Sequence, residues 1–427
     1  MRVLHLNTYD VGGAAKAVYR FHLALKNAGH DSKMLVFKKR EIIDEDVLSF
    51  QLSSAQKIRH YLNEIRRKIA GRGIKKQYNF FNVEESIDLP TKNFLKNLPF
   101  KPDIICVHWV SGFMSAKNIY ELSKATGAPV VWRFNDLNAF TGGCHYSNGC
   151  TNYRTGCGNC PALPDASPDD RSRRNVQAKI KWLGKANLCF ASSTTEIDEQ
   201  LKSSAVAKVC KTKLIRLSCA SSYFRPVNKS ESAADLGLAA GKKIIFFGAN
   251  DIADPRKGFK ELLRSFHLLK PQLSEELKNK IVLVFASKSA VEGVDWPFDY
   301  IQLPFLKGEE QLARAYQAAT VFVSPSLEDA GPMMLVESML CGTPAIAFAI
   351  GLAKDAVINN VTGFIVPPWD VNKFADSIKK VIEMSEDQYQ SLSHSCFSKA
   401  LELFNEQREV REYEELFHNL IKESEYV

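Results

Sequence analysis

The sequence lacks long hydrophobic runs, since none of its 427 residues belongs to a stretch of about 18 or more uncharged apolar residues. It also contains no internal repeat and no low-complexity tract. Hydrophobic residues make up 45% and charged residues 24%, which is typical of a globular protein and not of a membrane-spanning or disordered one. The apolar run within Met1–Asn7 is too short for a signal peptide. We therefore expect a cytoplasmic protein.

The chain carries a net positive charge but no alternation of basic and aromatic residues. The net charge of +8 suits phosphate-bearing or acidic partners, including anionic membranes and nucleic acid. No repeated alternation of basic and aromatic residues accompanies this charge, which disfavours a nucleic-acid-binding module. No nucleic-acid partner is therefore predicted.

Short apolar runs alternate with amphipathic segments along two halves of the chain, and they predict parallel, doubly wound α/β sheets. The predicted strands are Val3–Leu6, Ser32–Phe37, Asp103–Val107, Val130–Phe134 and Asn187–Phe190, followed by Lys243–Phe247, Ile281–Phe285, Thr320–Val323, Ala345–Phe348 and Gly363–Val366. Polar residues 217–232 are the best candidate linker. We predict domains at 1–216 and 226–385, with C-terminal helices over 386–427 and a ligand-binding cleft between the halves.

The most informative segment of the second half is Ser326–Pro344. Gly331-Pro332 is expected to open a short apolar helix, because proline suits the first helical position. Glu337 is the single carboxylate of that helix, and Asp329 precedes its N-terminus. A buried carboxylate needs a partner, which the hydroxyl groups of a ribose or sugar would supply. Alternatively, Asp329 only caps the helix and Glu337 faces water.

A second strand–loop–helix unit begins after the strand that ends at Phe247. Gly248 opens its loop, and Arg256 and Lys257 lie beside the expected helix N-terminus, which is itself positive. This arrangement predicts a phosphate clamp. The alternative is two solvated cations on a surface loop.

Asp329 to Glu337 resembles the acid-x7-acid signature of the retaining glycosyltransferases of family four, and Cys341–Phe348 resembles the continuation of that signature. The resemblance implies the GT-B architecture, two facing Rossmann-like domains whose last helix crosses back to the first. It implies a nucleotide-diphosphate sugar donor, of the UDP or GDP type, with no metal required for catalysis. The family usually has glutamate at the first position, which leaves open whether Glu328 or Asp329 faces the sugar. The implied donor-side residues are Gly248, Arg256, Lys257, Glu328, Asp329, Ala330, Gly331, Pro332 and Glu337.

The first half offers candidate residues for an acceptor at the ends of three predicted strands. They are Gly12, Gly13, His108, Trp109, Asn135 and Asp136. The glycines would let backbone amides approach a ligand, and an aromatic face could stack on a sugar. Paired glycines are also common in ordinary loops, and core packing is an alternative for Trp109. The family resembled often has His-Asp where this chain has Asn135-Asp136.

Four cysteines, Cys144, Cys150, Cys157 and Cys160, cluster in the loop 141–162. Their spacing, ending in C-x2-C, predicts a structural zinc site, and the alternatives are one or two disulfides or reduced thiols. A similar loop occurs in a family-four branch that builds bacterial surface polysaccharides such as colanic acid. The resemblance to that branch implies a saccharide or lipid-linked saccharide acceptor.

Residues 54–70 combine an apolar helical face with flanking basic residues. Such a helix can lie on an anionic leaflet, which would place the protein at the inner face of the membrane. The alternative is a basic surface helix that packs on its own domain.

These observations together predict a retaining glycosyltransferase. In that reading, Arg256, Lys257 and the helix dipole at Gly331 stabilise the leaving diphosphate, Glu337 holds the ribose, and Asp329 orients the donor sugar. Alternatives are a GT-B nucleotide-sugar epimerase or phosphorylase and, more remotely, a non-enzymatic zinc module that binds nucleic acid.

Overall fold

A computed structural model describes residues 1–80, 89–219, 222–239, 241–249, 251–289, 293–306, 308–329 and 331–425. The strands are β1 (Arg2–Tyr9), β2 (Asp31–Lys38), β3 (Val47–Ser49), β4 (Ile104–Val107), β5 (Val130–Phe134), β6 (Leu188–Ser192), β7 (Lys211–Leu214), β8 (Lys243–Gly248), β9 (Ile281–Ala286), β10 (Asp299–Leu303), β11 (Val321–Ser324), β12 (Ala345–Phe348) and β13 (Gly363–Val366). The α-helices are α1 (Gly12–Asn27), α2 (Ser54–Ala70), α3 (Thr91–Asn97), α4 (Ala116–Thr126), α5 (Arg171–Leu183), α6 (Thr195–Ser203), α7 (Lys229–Asp235), α8 (Phe259–Leu269), α9 (Glu275–Lys280), α10 (Glu309–Ala318), α11 (Met333–Leu340), α12 (Ala353–Ala356), α13 (Val371–Ile382), α14 (Glu386–Phe404) and α15 (Glu406–Glu425). In these described ranges, no helix is both long and apolar enough to span a bilayer.

The strands form two parallel sheets. The first has the order β3-β2-β1-β4-β5-β6-β7, and the second has the order β10-β9-β8-β11-β12-β13. In the first sheet Val3 pairs with Ser32 on one side and with Ile104 on the other. The strand order therefore reverses between β1 and β4, and in the second sheet between β8 and β11.

Both faces of the second sheet are covered by apolar side chains. Ile244 and Phe246 point into one buried cluster, whereas Ile245 and Phe247 point into another. Successive side chains of a strand face opposite ways, so a strand that is buried on both faces must be apolar throughout. This explains why the inner strands read as continuous hydrophobic runs.

The chain divides into two compact units, residues 1–217 together with 406–427, and residues 218–405. Helix α15 belongs to the first unit, where Arg133 Nη2 lies 2.6 Å from Glu409 Oε1 in a buried ion pair. Helix α14 belongs to the second unit. The C-terminal segment that the sequence grouped as 386–427 is thus divided after residue 405.

The predicted α/β class with two Rossmann-like parallel sheets is confirmed. Each predicted strand is present within one or two residues of its expected bounds, except that β1 continues three residues past its predicted end at Leu6. Three strands were not predicted: β3, β7 and β10. All three are edge strands, and they are short or largely polar.

Candidate functional site

In the second unit, a cavity of about 210 Å³ lies at the C-terminal ends of β8 and β11. These strands are neighbours at the point where the strand order reverses. In open α/β sheets the connections leave such a point in opposite directions, and the resulting crevice is where ligands bind. The cavity contains five of the predicted donor-side residues: Gly248, Lys257, Asp329, Gly331 and Pro332.

An ion pair joins the two loops that border this cavity. Lys257 Nζ donates to Asp329 Oδ2, and both side chains line the cavity. The backbone N–H of Leu327 also donates to the carbonyl oxygen of Arg256 at 2.7 Å. A cation and a carboxylate are therefore held at fixed positions in one pocket.

Gly258 makes this close approach of the loops possible. Its φ of +67° lies in the left-handed region, and a Cβ there would come within 1.9 Å of the carbonyl oxygen of Pro325. Glycine alone tolerates both conditions without strain. The glycine that follows Lys257 is therefore required by the backbone, independently of the charge of the lysine.

The N-terminus of α11 adds partial positive charge beside the carboxylate. The helix follows Gly331 and Pro332 and has no side-chain cap, and the N–H of Gly331 lies 3.3 Å from Asp329 Oδ1. The first amides of a helix are good donors to anions. Gly248 lies next to this helix, since a Cβ at Gly248 would come within 2.8 Å of the flexible end of the Met334 side chain.

Three other predicted donor-side residues, Arg256, Glu328 and Glu337, are not among those that line the cavity. Glu337 is buried within α11, and its Oε2 accepts a hydrogen bond from the Tyr316 hydroxyl at 3.1 Å. Burial and this carboxylate raise the pKa of Tyr316 well above its usual value. Arg256 pairs with Asp254 instead of projecting into the cavity.

Of the two predicted residues next to Asp329, only Glu328 lies in the described part of the chain. Glu328 does not line the cavity, whereas Asp329 does. Ala330 lies outside the described residues.

The first unit has an equivalent cavity of about 250 Å³ at the ends of β1, β4 and β5. It lies at the reversal of strand order between β1 and β4. All six predicted acceptor-side residues line it, namely Gly12, Gly13, His108, Trp109, Asn135 and Asp136. Residues separated by more than 120 positions in the sequence are thus brought to one site.

Hydrogen bonds join the ends of β1 and β4 where they line this cavity. The N–H of Trp109 donates to Asn7 Oδ1 at 3.0 Å, and the N–H of Thr8 donates to the Trp109 carbonyl at 2.7 Å. The Trp109 ring meets the ring of His145 edge to face, with centroids 5.4 Å apart. His145 Nδ1 lies 3.9 Å from Asp136 Oδ2.

His108 ends a buried chain of polar side chains. Its Nε2 is 2.9 Å from His5 Nδ1, and His5 Nε2 is 3.1 Å from the hydroxyl oxygen of Ser32. The Nδ1 atom of His108 has no hydrogen-bond partner among the described residues. Burial lowers the pKa of both His5 and His108 well below 6.5, so both rings are neutral near pH 7.

Sequence reasoning missed several residues that line the two cavities. They are Asn7, Tyr9, Arg133 and His145 in the first unit and Ser324 and Ser326 in the second. Most of them lie in the last residues of a parallel strand or just after it. The rule that ligands bind outside these strand ends would have indicated them.

The four clustered cysteines line one small cavity of about 20 Å³, and all four are free. Burial raises the pKa of Cys144 and of Cys157 to about 12, which keeps these thiols protonated. Within the part of the chain that the structure describes, no three His, Cys, Asp or Glu side chains are arranged to hold a metal ion. The predicted structural zinc is therefore not supported, and the arrangement is that of reduced thiols.

The match to a known protein family lies within the second unit. Residues 228–395 match the family model described as "Glycosyl transferases group 1". The D-inositol 3-phosphate glycosyltransferase of Saccharomonospora viridis is 28% identical over 170 residues, which are 37% of this chain and 39% of that protein. The enzyme of the same name from Actinosynnema mirum is 25% identical over 233 residues, 52% of this chain and 54% of that protein. The chain therefore matches only about two fifths to one half of the length of these relatives.

Solved structures are similar over nearly the whole chain. Sucrose-phosphate synthase of Thermosynechococcus elongatus has a TM-score of 0.68 at 19% identity and covers 99% of this chain and 100% of its own. HepE of Anabaena in complex with UDP has a TM-score of 0.63 at 14% identity, with 98% and 100% covered. Because these identities are low, the structural similarity establishes the fold and not the activity. The chain thus has the α/β GT-B fold, and its residues 228–395 are similar to the group 1 glycosyl transferases.

Proposed function

We propose that this protein transfers a glycosyl group from a nucleotide-diphosphate sugar to a saccharide or lipid-linked saccharide, with retention at the anomeric carbon. The observation that carries the proposal is the Lys257–Asp329 pair in the cavity between β8 and β11. A cation and a carboxylate at a helix N-terminus suit the two halves of such a donor, the anionic diphosphate and the hydroxylated sugar.

In the proposed reaction the bond from the anomeric carbon to the diphosphate breaks, and negative charge grows on the leaving group. The oxygen of an acceptor hydroxyl forms the new bond to the anomeric carbon, and its proton passes to the departing diphosphate. Lys257 and the N-terminus of α11, which follows Gly331 and Pro332, would stabilise that charge. The diphosphate would displace Asp329 from the Lys257 ammonium, which would leave the Asp329 carboxylate to accept hydrogen bonds from the donor sugar. Arg256 would assist only after leaving Asp254.

Glu337 is the proposed partner of the nucleoside ribose. Its hydrogen bond from Tyr316 fixes one carboxylate oxygen and the orientation of the group. A UDP donor is favoured, because HepE is solved with UDP and UDP-glucose, and the similar E. coli trehalose-6-phosphate structure is bound with UDP-2-fluoro glucose.

The six residues of the first-unit cavity are the proposed acceptor side. Trp109 would stack on a sugar ring, and Asp136 and Asn135 would accept and donate hydrogen bonds. We propose a growing bacterial surface polysaccharide as the product, with the protein acting in the cytoplasm. The relatives named D-inositol 3-phosphate glycosyltransferase add inositol phosphate as a second acceptor to be tested.

Thermal-shift titrations with UDP, GDP, ADP and their common sugars test the donor. We expect stabilisation by one diphosphate and its sugars, and Lys257→Met should weaken binding about 10- to 100-fold, since it removes a charge-assisted contact. Lys260→Met is the matched control, because Lys260 is exposed in the first turn of α8, three residues after Lys257, and does not line the cavity. Equal affinity of the two variants would refute the assignment of Lys257.

Glu337→Gln, compared with Tyr316→Phe, tests the ribose contact. If Glu337 binds the donor, Glu337→Gln lowers donor affinity and transfer, while Tyr316→Phe mainly lowers stability. If Glu337 only partners Tyr316, both variants lose stability and keep donor affinity, and the assignment is wrong. The anomeric configuration of the product, read by NMR, decides retention, and turnover of the donor without any acceptor would favour the epimerase or phosphorylase.

A further inference from the structure

Helix α2 attaches to the first unit by its polar face. Lys38 Nζ of β2 donates to Glu64 Oε1 at 2.7 Å, and within the helix Arg67 Nη2 lies 3.8 Å from the same oxygen. The ring of His60 packs edge-on against Phe37, with centroids 4.9 Å apart. His60, Glu64 and Arg67 follow the helical spacing of three and four residues, so they share one side of the helix.

The opposite side of α2 is apolar and exposed. It carries Ile58, Tyr61, Leu62, Ile65 and Ile69, which are 38 to 64% exposed. Their spacing of i, i+3, i+4, i+7 and i+11 makes one continuous stripe. A helix on the surface of a globular protein normally turns such a stripe towards the core, so α2 has the reverse orientation.

Basic side chains border this stripe on both sides. At 100° per residue, Lys57 and Lys68 lie along one edge, and Arg59 and Arg66 lie along the other. All four residues are exposed. The only acidic residue of the helix is Glu64, which lies on the face towards the unit.

We propose that α2 docks the protein on an anionic lipid bilayer, with the apolar stripe buried at the level of the acyl chains and the basic residues among the headgroups. An exposed apolar stripe between two basic edges is the pattern of interfacial helices, which gain from both apolar burial and attraction to anionic lipid. Contact with a second copy of the chain is disfavoured, because it would bring two sets of basic residues together. The helix needs no folding on arrival, since Ser53 and Gln56 form a capping box at its start.

This inference goes beyond the proposed transfer reaction and is tested without it. The probes are vesicles of phosphatidylcholine alone and vesicles of phosphatidylcholine mixed with phosphatidylglycerol, and flotation of the full-length protein measures binding. We expect binding to the mixed vesicles, weaker binding to neutral ones, and weakening by salt.

Two variants and one control locate the contact. The double substitution Ile58→Glu/Leu62→Glu should lower binding to the mixed vesicles by about tenfold or more, since it places two charges in the stripe. Lys57→Gln/Lys68→Gln should lower binding to mixed vesicles and leave the weaker binding to neutral ones unchanged. Leu401→Glu is the control, because Leu401 is an equally exposed leucine in the second unit.

Three results would overturn the proposal. They are no flotation of the wild-type protein, equal flotation of Ile58→Glu/Leu62→Glu and Leu401→Glu, and a wild-type dimer in sedimentation equilibrium that the double variant abolishes without any vesicle binding. Circular dichroism and the melting temperature show whether each variant is folded. Since both substituted residues are exposed, we expect no loss of stability.

Discussion

Substituting His22 by asparagine tests whether buried histidines make the first unit sensitive to acid. His22 is fully buried in α1, and its Nδ1 lies 2.7 Å from the hydroxyl oxygen of Ser32. The same hydroxyl contacts His5, which in turn contacts His108. Three imidazoles are thus held in one interior region of the unit.

Burial lowers the pKa of His22 from 6.5 to about 4. Between these values the unfolded chain binds a proton that the folded chain does not, so the free energy of unfolding falls as the pH falls. Linkage between a pKa of 6.5 unfolded and about 4 folded gives a loss of about 2 kcal/mol from about pH 8 to about pH 5 for His22 alone. His5 and His108 act in the same direction, because burial lowers the pKa of each.

The variant His22→Asn removes one titrating group and keeps a side-chain amide near the position of Nδ1. At about pH 8 we expect it to be less stable than wild type, because the ring leaves a cavity. The difference should shrink by about 2 kcal/mol towards about pH 5, since the variant no longer pays for keeping this imidazole neutral. His418→Asn is the control, because His418 is exposed on α15.

Urea unfolding at each pH, read by pulsed hydrogen exchange of peptides from β1 and β2, reports the first unit separately from the second. Parallel curves of unfolding free energy against pH for wild type and His22→Asn would refute the reasoning. The same flattening in His418→Asn would show that burial is not the cause.

Two further predictions concern single buried contacts. Arg133→Met removes the cation that pairs with the buried carboxylate of Glu409, and we expect a loss of about 3–5 kcal/mol in unfolding free energy, measured by urea unfolding. The double variant Arg133→Met/Glu409→Met should recover much of this loss, and a double variant as unstable as the single one would contradict the explanation. Gly258→Ala places a Cβ within 1.9 Å of the Pro325 carbonyl oxygen, and it should cost more than about 3 kcal/mol and abolish donor binding. Gly237→Ala, at a similar positive φ with no heavy atom within 4 Å of the Cβ, should cost only about 1 kcal/mol, and equal melting temperatures for the two variants would exclude the close approach as the cause.

The inner strands could be predicted because they are buried on both faces, which requires uninterrupted apolar sequence. β7 and β10 could not, because an edge strand has one unpaired side and carries polar residues such as those of Lys211–Leu214. Their place in the sheet is determined by pairing with β6 and β9, which local sequence does not encode. The same holds for α2, whose stripe is visible in the sequence but whose outward orientation depends on the contacts of Glu64 and His60.

The sequence by itself determined the parallel α/β class and the strand–loop–helix units that carry Lys257 and Asp329, because both follow from local hydrophobic periodicity and turn residues. Only the tertiary structure decided which loops meet. The neighbouring positions of β8 and β11 bring those two side chains into an ion pair, and the order β1-β4-β5 gathers the first-unit residues around one cavity. It also decided that Glu337 lies against Tyr316, because this contact depends on the packing of α11 against α10.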